Sequence, residues 1–333
     1  MFGVTGAAYA DPLVFSPLDP MPISRAGSAY VSLGGGAIVQ QLPTFNTPYV
    51  INGTNQTLFS VSPAVTGGAG QITLGSVING LPTGNNSRIE LSVGGFSGSG
   101  RFTGGLTTPD TTVLAISGTG IINCGGCDGT TTLKFDYQEI GGVLRLKSDF
   151  ALAPQLTATP SIGILASQSK LGYRSDTGFQ FAPAFNVPAF VEETVETFRA
   201  GGEFGLNFGY RATQQLSFNA GATVALLAMS SSLNGNDCLS SNQPIGMPCS
   251  GALIRSSVTQ TDRRFDNRDR FNLSGTYDTG WMKFTLAGFG SWDSAMPGVT
   301  NPVVAGMPAI ISYESRWSYG GSAALTVPFN VPK

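Results

Sequence analysis

The chain has 333 residues, of which 11% are charged, and its 18 Lys and Arg against 20 Asp and Glu leave a net charge of −2. That charged fraction is less than half of the roughly 25% of an ordinary soluble domain, and the near balance of signs excludes the chain as a whole from nucleic-acid binding. Histidine is absent, which removes Ser–His–acid and Cys–His catalysis and every histidine-ligated metal site; no cofactor or metal is expected, and the chain reads as a non-enzyme.

The chain opens MFGVTGAAYADP, where Ala8 and Ala10 ahead of Asp11 have the small-residue spacing that ends an export signal. Residues 1–10 are therefore read as the remnant of a signal peptide and 11–27 as a segment leading into the first strand, expected at 28–39. The stretch 41–130 is rich in Gly, Thr and Ser and weakly patterned, with strands expected at 71–79, 86–96 and 112–123. Beyond it the pattern strengthens, and strands are expected at 131–139, 142–152, 155–166, 196–210, 214–229, 268–278, 281–292 and 314–329. Four cysteines fall in two local pairs, Cys124 with Cys127 and Cys238 with Cys249, among turn-forming residues. In an exported protein these read as two small loop disulfides, and a zinc site is the poorer alternative because the second pair has unsuitable spacing.

The decisive signal is alternation with period two. Phe198, Phe204, Leu206, Phe208 and Tyr210 share one face, while Arg199, Glu203 and Asn207 share the other. Phe218 and Val224 likewise oppose Asn219 and Thr223. Strands point successive side chains to opposite faces, and a helix would mix these sets. No apolar run approaches the ~20 residues of a membrane helix; the longest is ATVALLAM at 222–229. The strands, however, run to a dozen residues or more, beyond the ~5–6 of an average soluble strand and enough for the ~9–11 of a spanning one. Tight turns at Ala153-Pro154, 211–214 and Asp278-Thr279-Gly280 alternate with long segments rich in Gly, Pro, Ser and Asn at 167–194, 230–267 and 293–311. Short connections at one rim and long loops at the other fit a transmembrane barrel. The fold class expected is all-β: a closed antiparallel transmembrane barrel of about twelve strands (10–14), its first strand paired with its last. Trp281, Trp292, Trp317, Tyr210 and Tyr277 fall near strand ends, where interfacial girdles sit.

The final strand alternates Trp317, Tyr319, Gly321, Ala323, Leu325, Val327 and Phe329 with Ser318, Gly320, Ser322, Ala324 and Thr326. In this it resembles the outer-membrane β-barrel proteins of Gram-negative bacteria, whose last strand ends in Phe; here Asn330-Val331-Pro332-Lys333 follow. The resemblance is strong over 131–329, looser before it, and names no subfamily. It implies a multi-pass barrel in the bacterial outer membrane at 28–329, a periplasmic segment at 11–27, a tail at 330–333, and a last strand read by the barrel-assembly machinery. Outer-membrane proteases, phospholipases and lipid A deacylases of the known families use histidine, so none is expected here.

Lys134, Asp136, Arg145, Lys147, Asp149, Arg199, Glu203 and Lys283 fall on polar strand faces and are expected to line the lumen. There they either pair and plug it or line a water channel. The densest charged run, TDRRFDNRDR at 261–270, places Arg263, Arg264, Arg268 and Arg270 beside three Asp. These arginines are candidates for contact with lipopolysaccharide phosphates, the alternative being a solvated loop stem of compensating ion pairs. The leading functional expectation is a porin-like passive channel for small solutes. The alternative is a structural or adhesive surface protein with a plugged lumen, whose loops bind a partner or self-associate, and the third reading is a soluble secreted β-protein.

Overall fold

The computed structural model describes residues 28–51, 54–78, 86–107, 112–116, 120–124, 128–181, 185–239, 254–301 and 308–330, and all regular structure among them is strand. Ten strands close into an antiparallel barrel: β1 (Ser28–Gln41), β4 (Ala64–Ile78), β5 (Asn86–Thr107), β8 (Asp128–Ala153), β9 (Leu156–Phe181), β10 (Phe185–Arg211), β11 (Leu216–Leu239), β12 (Ile254–Asp278), β13 (Lys283–Thr300) and β14 (Ile310–Asn330). Four short strands, β2 (Phe45–Ile51), β3 (Thr54–Val61), β6 (Thr112–Ile116) and β7 (Gly120–Cys124), form a second sheet in the order β3-β2-β6-β7. The ring is sealed between its first and last strands, from Ser28 opposite Asn330 to Gln40 opposite Ser318. No edge N–H or C=O is then left to lipid, where each would cost several kcal/mol.

Two of the twelve expected strands are absorbed. The segment 112–123 lies outside the ring as β6 and β7, and 131–139 with 142–152 form one continuous strand, β8. Gly141-Gly142 interrupts the side-chain pattern without turning the chain, and both glycines stay in register with β5 and β9. Ten is still even, so both chain ends of the barrel lie at the rim of the tight turns. At that rim Arg211 N donates to Gln155 O (2.8 Å) and Asp278 N to Gln215 O (2.8 Å), tying adjacent turns together. Gly280 takes φ +93° in the β12–β13 turn, a conformation a side chain would strain.

The outer face of the lower barrel is apolar. Leu33, Ile72, Leu91, Leu144, Ile164, Phe204, Leu226, Leu273 and Leu286 are all exposed. Exposed residues from Ile140 to Leu152 on β8, Phe198 to Tyr210 on β10 and Trp317 to Phe329 on β14 mark the same interval of twelve residues. At ~3.3 Å per residue and ~45° tilt that interval is about 28 Å high, close to the ~25 Å apolar band of a spanning barrel. A belt of this extent has no place in water, and the soluble reading fails on it. Tyr210, Tyr277 and Trp281 mark its lower edge, and Trp292 opposite Trp317 its upper edge on β13 and β14.

The strands do not end with the belt. The segments 167–194 and 230–267, read from sequence as loops, are largely the upper ends of β9 to β12, with 182–184 and 240–253 outside the described residues. Above the belt the two faces exchange polarity while the alternation continues. On β8 the inward residues are Leu133, Phe135 and Tyr137 and the outward ones Lys134, Asp136 and Gln138; below Ile140 the inward residues are Arg145, Lys147 and Asp149 and the outward ones Leu144, Leu146 and Phe150. The solvent outside the wall changes from lipid to water, so the apolar face moves inside. The buried apolar core therefore sits in the upper barrel, where Ile38, Val65, Phe96, Leu133, Phe135, Leu171, Tyr173, Val195, Leu233 and Met296 meet across the lumen.

Candidate functional site

The lumen at membrane level holds a buried ionic network built by residues two apart on neighbouring strands. Toward the turn rim, Arg88 Nη1 meets Asp149 Oδ2 at 2.6 Å, Arg88 Nε meets Glu90 Oε1 at 3.0 Å and Lys147 Nζ meets Glu90 Oε2 at 2.7 Å. Tyr30 donates its hydroxyl to Glu90, and Thr159 donates to Asp149 Oδ1 at 2.7 Å. Higher in the lumen, Glu139 accepts from Tyr137 OH at 2.6 Å and from Arg268 Nη1 at 2.9 Å. Arg268 also grips Asp293, and Arg199 Nε reaches Asp266 Oδ2 at 3.3 Å. Asp266 Oδ1 further accepts from Ser294 Oγ and Ala295 N, both at 3.0 Å. Among the described residues, the cations Arg88, Arg145, Lys147, Arg199, Arg268 and Arg270 are matched by Glu90, Glu139, Asp149, Glu203, Asp266 and Asp293, all buried. Desolvating this many charges is tolerated only because nearly every one meets an opposite charge at contact distance. Arg270 is the exception: its three guanidinium nitrogens make no hydrogen bond to the protein.

Between these levels Arg145 on β8 pairs in two-pronged fashion with Glu203 on β10, the second contact from Nη2 to Oε2 at 3.1 Å. Their strands are not neighbours. Gly163 of β9 lies directly between them, opposite Arg145 on one side and Glu203 on the other. A Cβ there would stand 2.8 Å from Leu144 O and 3.0 Å from the Arg145 side chain. The missing side chain is what lets the pair bridge an entire strand. Gly163→Val is expected to lower unfolding free energy by about 1–3 kcal/mol through overpacking, read by urea titration in lipid vesicles. An unmoved midpoint would show that the pair does not depend on Gly163.

Above the network the lumen is closed by apolar side chains and by the segment joining β1 to β2. Leu42 and Phe45 are 0% and 1% exposed in the upper mouth. Phe45 stacks on Tyr173 with ring centroids 5.0 Å apart, and Tyr173 donates its hydroxyl to Pro43 O at 3.1 Å. Thr44 is held by Glu314 through its N–H (3.2 Å) and hydroxyl (3.0 Å) and by Arg316 (2.8 Å). Asn46 and Asn301 exchange hydrogen bonds at 3.1 and 3.2 Å.

Of the residues expected to line the lumen, Arg145, Lys147, Asp149, Arg199, Glu203 and Lys283 are buried inside, and Lys283 pairs with Asp278 at 3.3 Å. Lys134 and Asp136 are on the outer wall instead, because they lie above the exchange of faces. Of the arginines expected to meet lipopolysaccharide, Arg263 is exposed, Arg264 lies over the Tyr313 ring (4.1 Å), and Arg268 and Arg270 are buried in the lumen. The run 261–270 is strand, and even-numbered positions from 266 point inward. Arg88, Glu90, Glu139, Asp266 and Asp293 complete the network and are not among the residues expected to line the lumen. Arg88 and Glu90 alternate with Ile89 and Leu91, and Asp266, Arg268 and Arg270 precede the outward Phe271, so the period-two signal was present at each. Cys127 and Cys249 lie outside the described residues, as do 1–27 and 331–333.

No family model matches the chain, and no curated protein does. Among solved structures, the outer membrane protease OmpT from Escherichia coli is similar over 91% of this chain and 96% of its own, at 14% identity and a TM-score of 0.41. The P. putida toluene transporter TodX is similar over 93% of this chain and 91% of its own, at 10% identity and a TM-score of 0.25. Likeness at this level carries nothing about activity. The geometry stands by itself: an even-numbered closed antiparallel barrel, an outward apolar belt with aromatic edges, and tight turns at one rim are the architecture of outer-membrane barrels. The chain is a multi-pass β-barrel of that type.

Proposed function

We propose that this outer-membrane barrel is a closed, non-conducting scaffold that acts through its outer wall and its upper rim, as a structural or adhesive surface protein. The observation that carries this reading is the filling of the lumen at two levels. A neutral ionic network occupies the membrane level, with Arg199 and Glu203 each 1% exposed, and the apolar core with Leu42 and Phe45 occupies the upper mouth. A porin-like channel needs a continuous water path lined by accessible polar groups, and buried, mutually paired charges do not supply one. The same burial withholds these carboxylates from any substrate, which favours binding over catalysis. Reconstituted into a planar bilayer, the protein is expected to give no unitary conductance steps. Steady steps that scale with salt concentration would return the porin-like reading to first place.

A further inference from the structure

On the outer wall, Arg101 of β5, Lys134 of β8 and Arg174 of β9 stand directly opposite one another across three consecutive strands. Like charges in direct cross-strand opposition destabilise a sheet; Glu192 of β10 faces Arg174 at one end of the row, whereas Lys134 at its centre has a cation on either side. Arg174 is pre-set by Asp176 (3.4 Å) and by the Phe190 ring beneath its guanidinium (4.6 Å). Lys170, four residues from Arg174 on the same face, has only a loose, exposed pairing with Glu196 at 3.7 Å.

These four cations border a groove of about 770 Å³ whose remaining polar lining includes Asp136, Gln138, Glu192 and Glu193, so the cations gather toward the Arg101–Lys134–Arg174 side and the carboxylates of β10 close the other. Its floor at Gly172 is covered by the Asp136 carboxylate, whose Oδ1 lies 2.6 Å from where a Cβ would stand, so the missing side chain is what lets Asp136 lie across the floor. The depth of the groove is set by register. Ile140, the uppermost apolar residue of the belt on β8, lies opposite Gln168, and the next outward rows are Gln138 with Lys170, Asp136 with Gly172, and Lys134 with Arg174. Rows two residues apart climb ~5 Å each on a tilted strand. The groove thus begins one row above the hydrocarbon and covers the headgroup layer.

We propose that this groove binds the phosphorylated sugar headgroup of an outer-leaflet glycolipid. Arg101, Lys134 and Arg174 take the phosphate through charge-assisted hydrogen bonds, and Asp136 and Gln138 accept hydrogen bonds from sugar hydroxyls. Bound phosphate also relieves the repulsion along the cationic row. The site is distinct from the 261–270 run, and it does not depend on whether the lumen conducts.

The test compares the full barrel, folded in phosphatidylcholine vesicles with or without bisphosphorylated lipid A, as wild type, as R101Q/K134Q/R174Q and as R263Q. Heat-modifiable gel mobility verifies folding. Wild type and R263Q are expected to retain lipid A through detergent washing and the triple variant to retain about ten-fold less or below, as loss of several charge-assisted contacts implies. The thermal midpoint of wild type should rise with lipid A and that of the triple variant should not. Equal retention by the triple variant, or equal retention of dephosphorylated lipid A by wild type, overturns the proposal. Displacement of lipid A by millimolar inorganic phosphate would assign the groove to the free ion and overturn it as well. If the triple variant does not fold, K134Q alone decides: lowered retention supports the site and unchanged retention refutes it.

Discussion

Replacing Arg268 with Met is expected to cost the barrel about 3–5 kcal/mol of unfolding free energy, the usual penalty for removing one partner of a buried ionic cluster. Arg268 touches Glu139 at 2.9 Å and grips Asp293, and both carboxylates are buried. Without the guanidinium each loses a cation at contact distance in a low-dielectric lumen, and Arg199, 3.9 Å from Glu139, and the Tyr137 hydroxyl offset that loss in part. The loss is a large part of a typical total stability of ~5–15 kcal/mol. Arg270→Met is the informative companion, two residues along the same inward face. Arg270 makes no hydrogen bond to the protein, so its removal strands no hydrogen-bonded partner and should cost at least ~2 kcal/mol less. Urea unfolding in lipid vesicles, followed by tryptophan fluorescence, reads both. Equal losses at the two positions would mean that the network acts as a diffuse field and not through the contacts described.

Leu206→Arg is expected to cost about 2–4 kcal/mol, the range for a cation placed on the lipid face near the bilayer midplane. Leu206 is exposed on β10 between Phe198 and Tyr210, which bracket the belt. The control is Asn234→Arg, exposed on β11 two rows above the Phe198 row and opposite the uncharged Thr194 and Thr259, which should stay within ~0.5 kcal/mol as an ordinary surface change. The contrast isolates depth, since both sites face away from the lumen. Spin labels report the same geometry without a stability measurement: a label at 206 should be quenched by an apolar relaxant far more than one at 207, where Asn207 is buried inside. Similar accessibility at the two positions would sink the assignment of faces.

Much of this was open to reading in the amino-acid order. Alternation at 196–229 and 268–329 assigned each of those side chains a face, because the strand period is two whatever surrounds it. Phe198, Phe204, Leu206, Phe208, Phe218 and Val224 are exposed, while Arg199, Glu203, Asn219 and Thr223 are buried. Leu325 and Val327 are half-exposed on the same outer face. The pairing of the first strand with the last follows from the cost of an open edge in lipid. Charge density misled at 261–267, assigned to a long loop that gives way to strand only at 268, although those residues continue the strand that carries Phe271 and Leu273.

What the sequence determined by itself is the class: spanning strands, closure, and which residues share a face, all consequences of local period and of backbone hydrogen bonds that lipid cannot satisfy. Only the tertiary structure decided where along each strand the inside face turns from polar to apolar. Lys134 and Arg145 fall eleven residues apart, an odd number, so the one continuous strand puts them on opposite faces, and a charge is tolerated both on the outer wall above and in the lumen below because the medium outside the barrel changes between them. Nor does the sequence show that Glu203 meets Arg145 across Gly163, or that Arg101, Lys134 and Arg174 form one row. Those contacts are set by register among strands far apart in the chain, and register is a property of the closed ring as a whole.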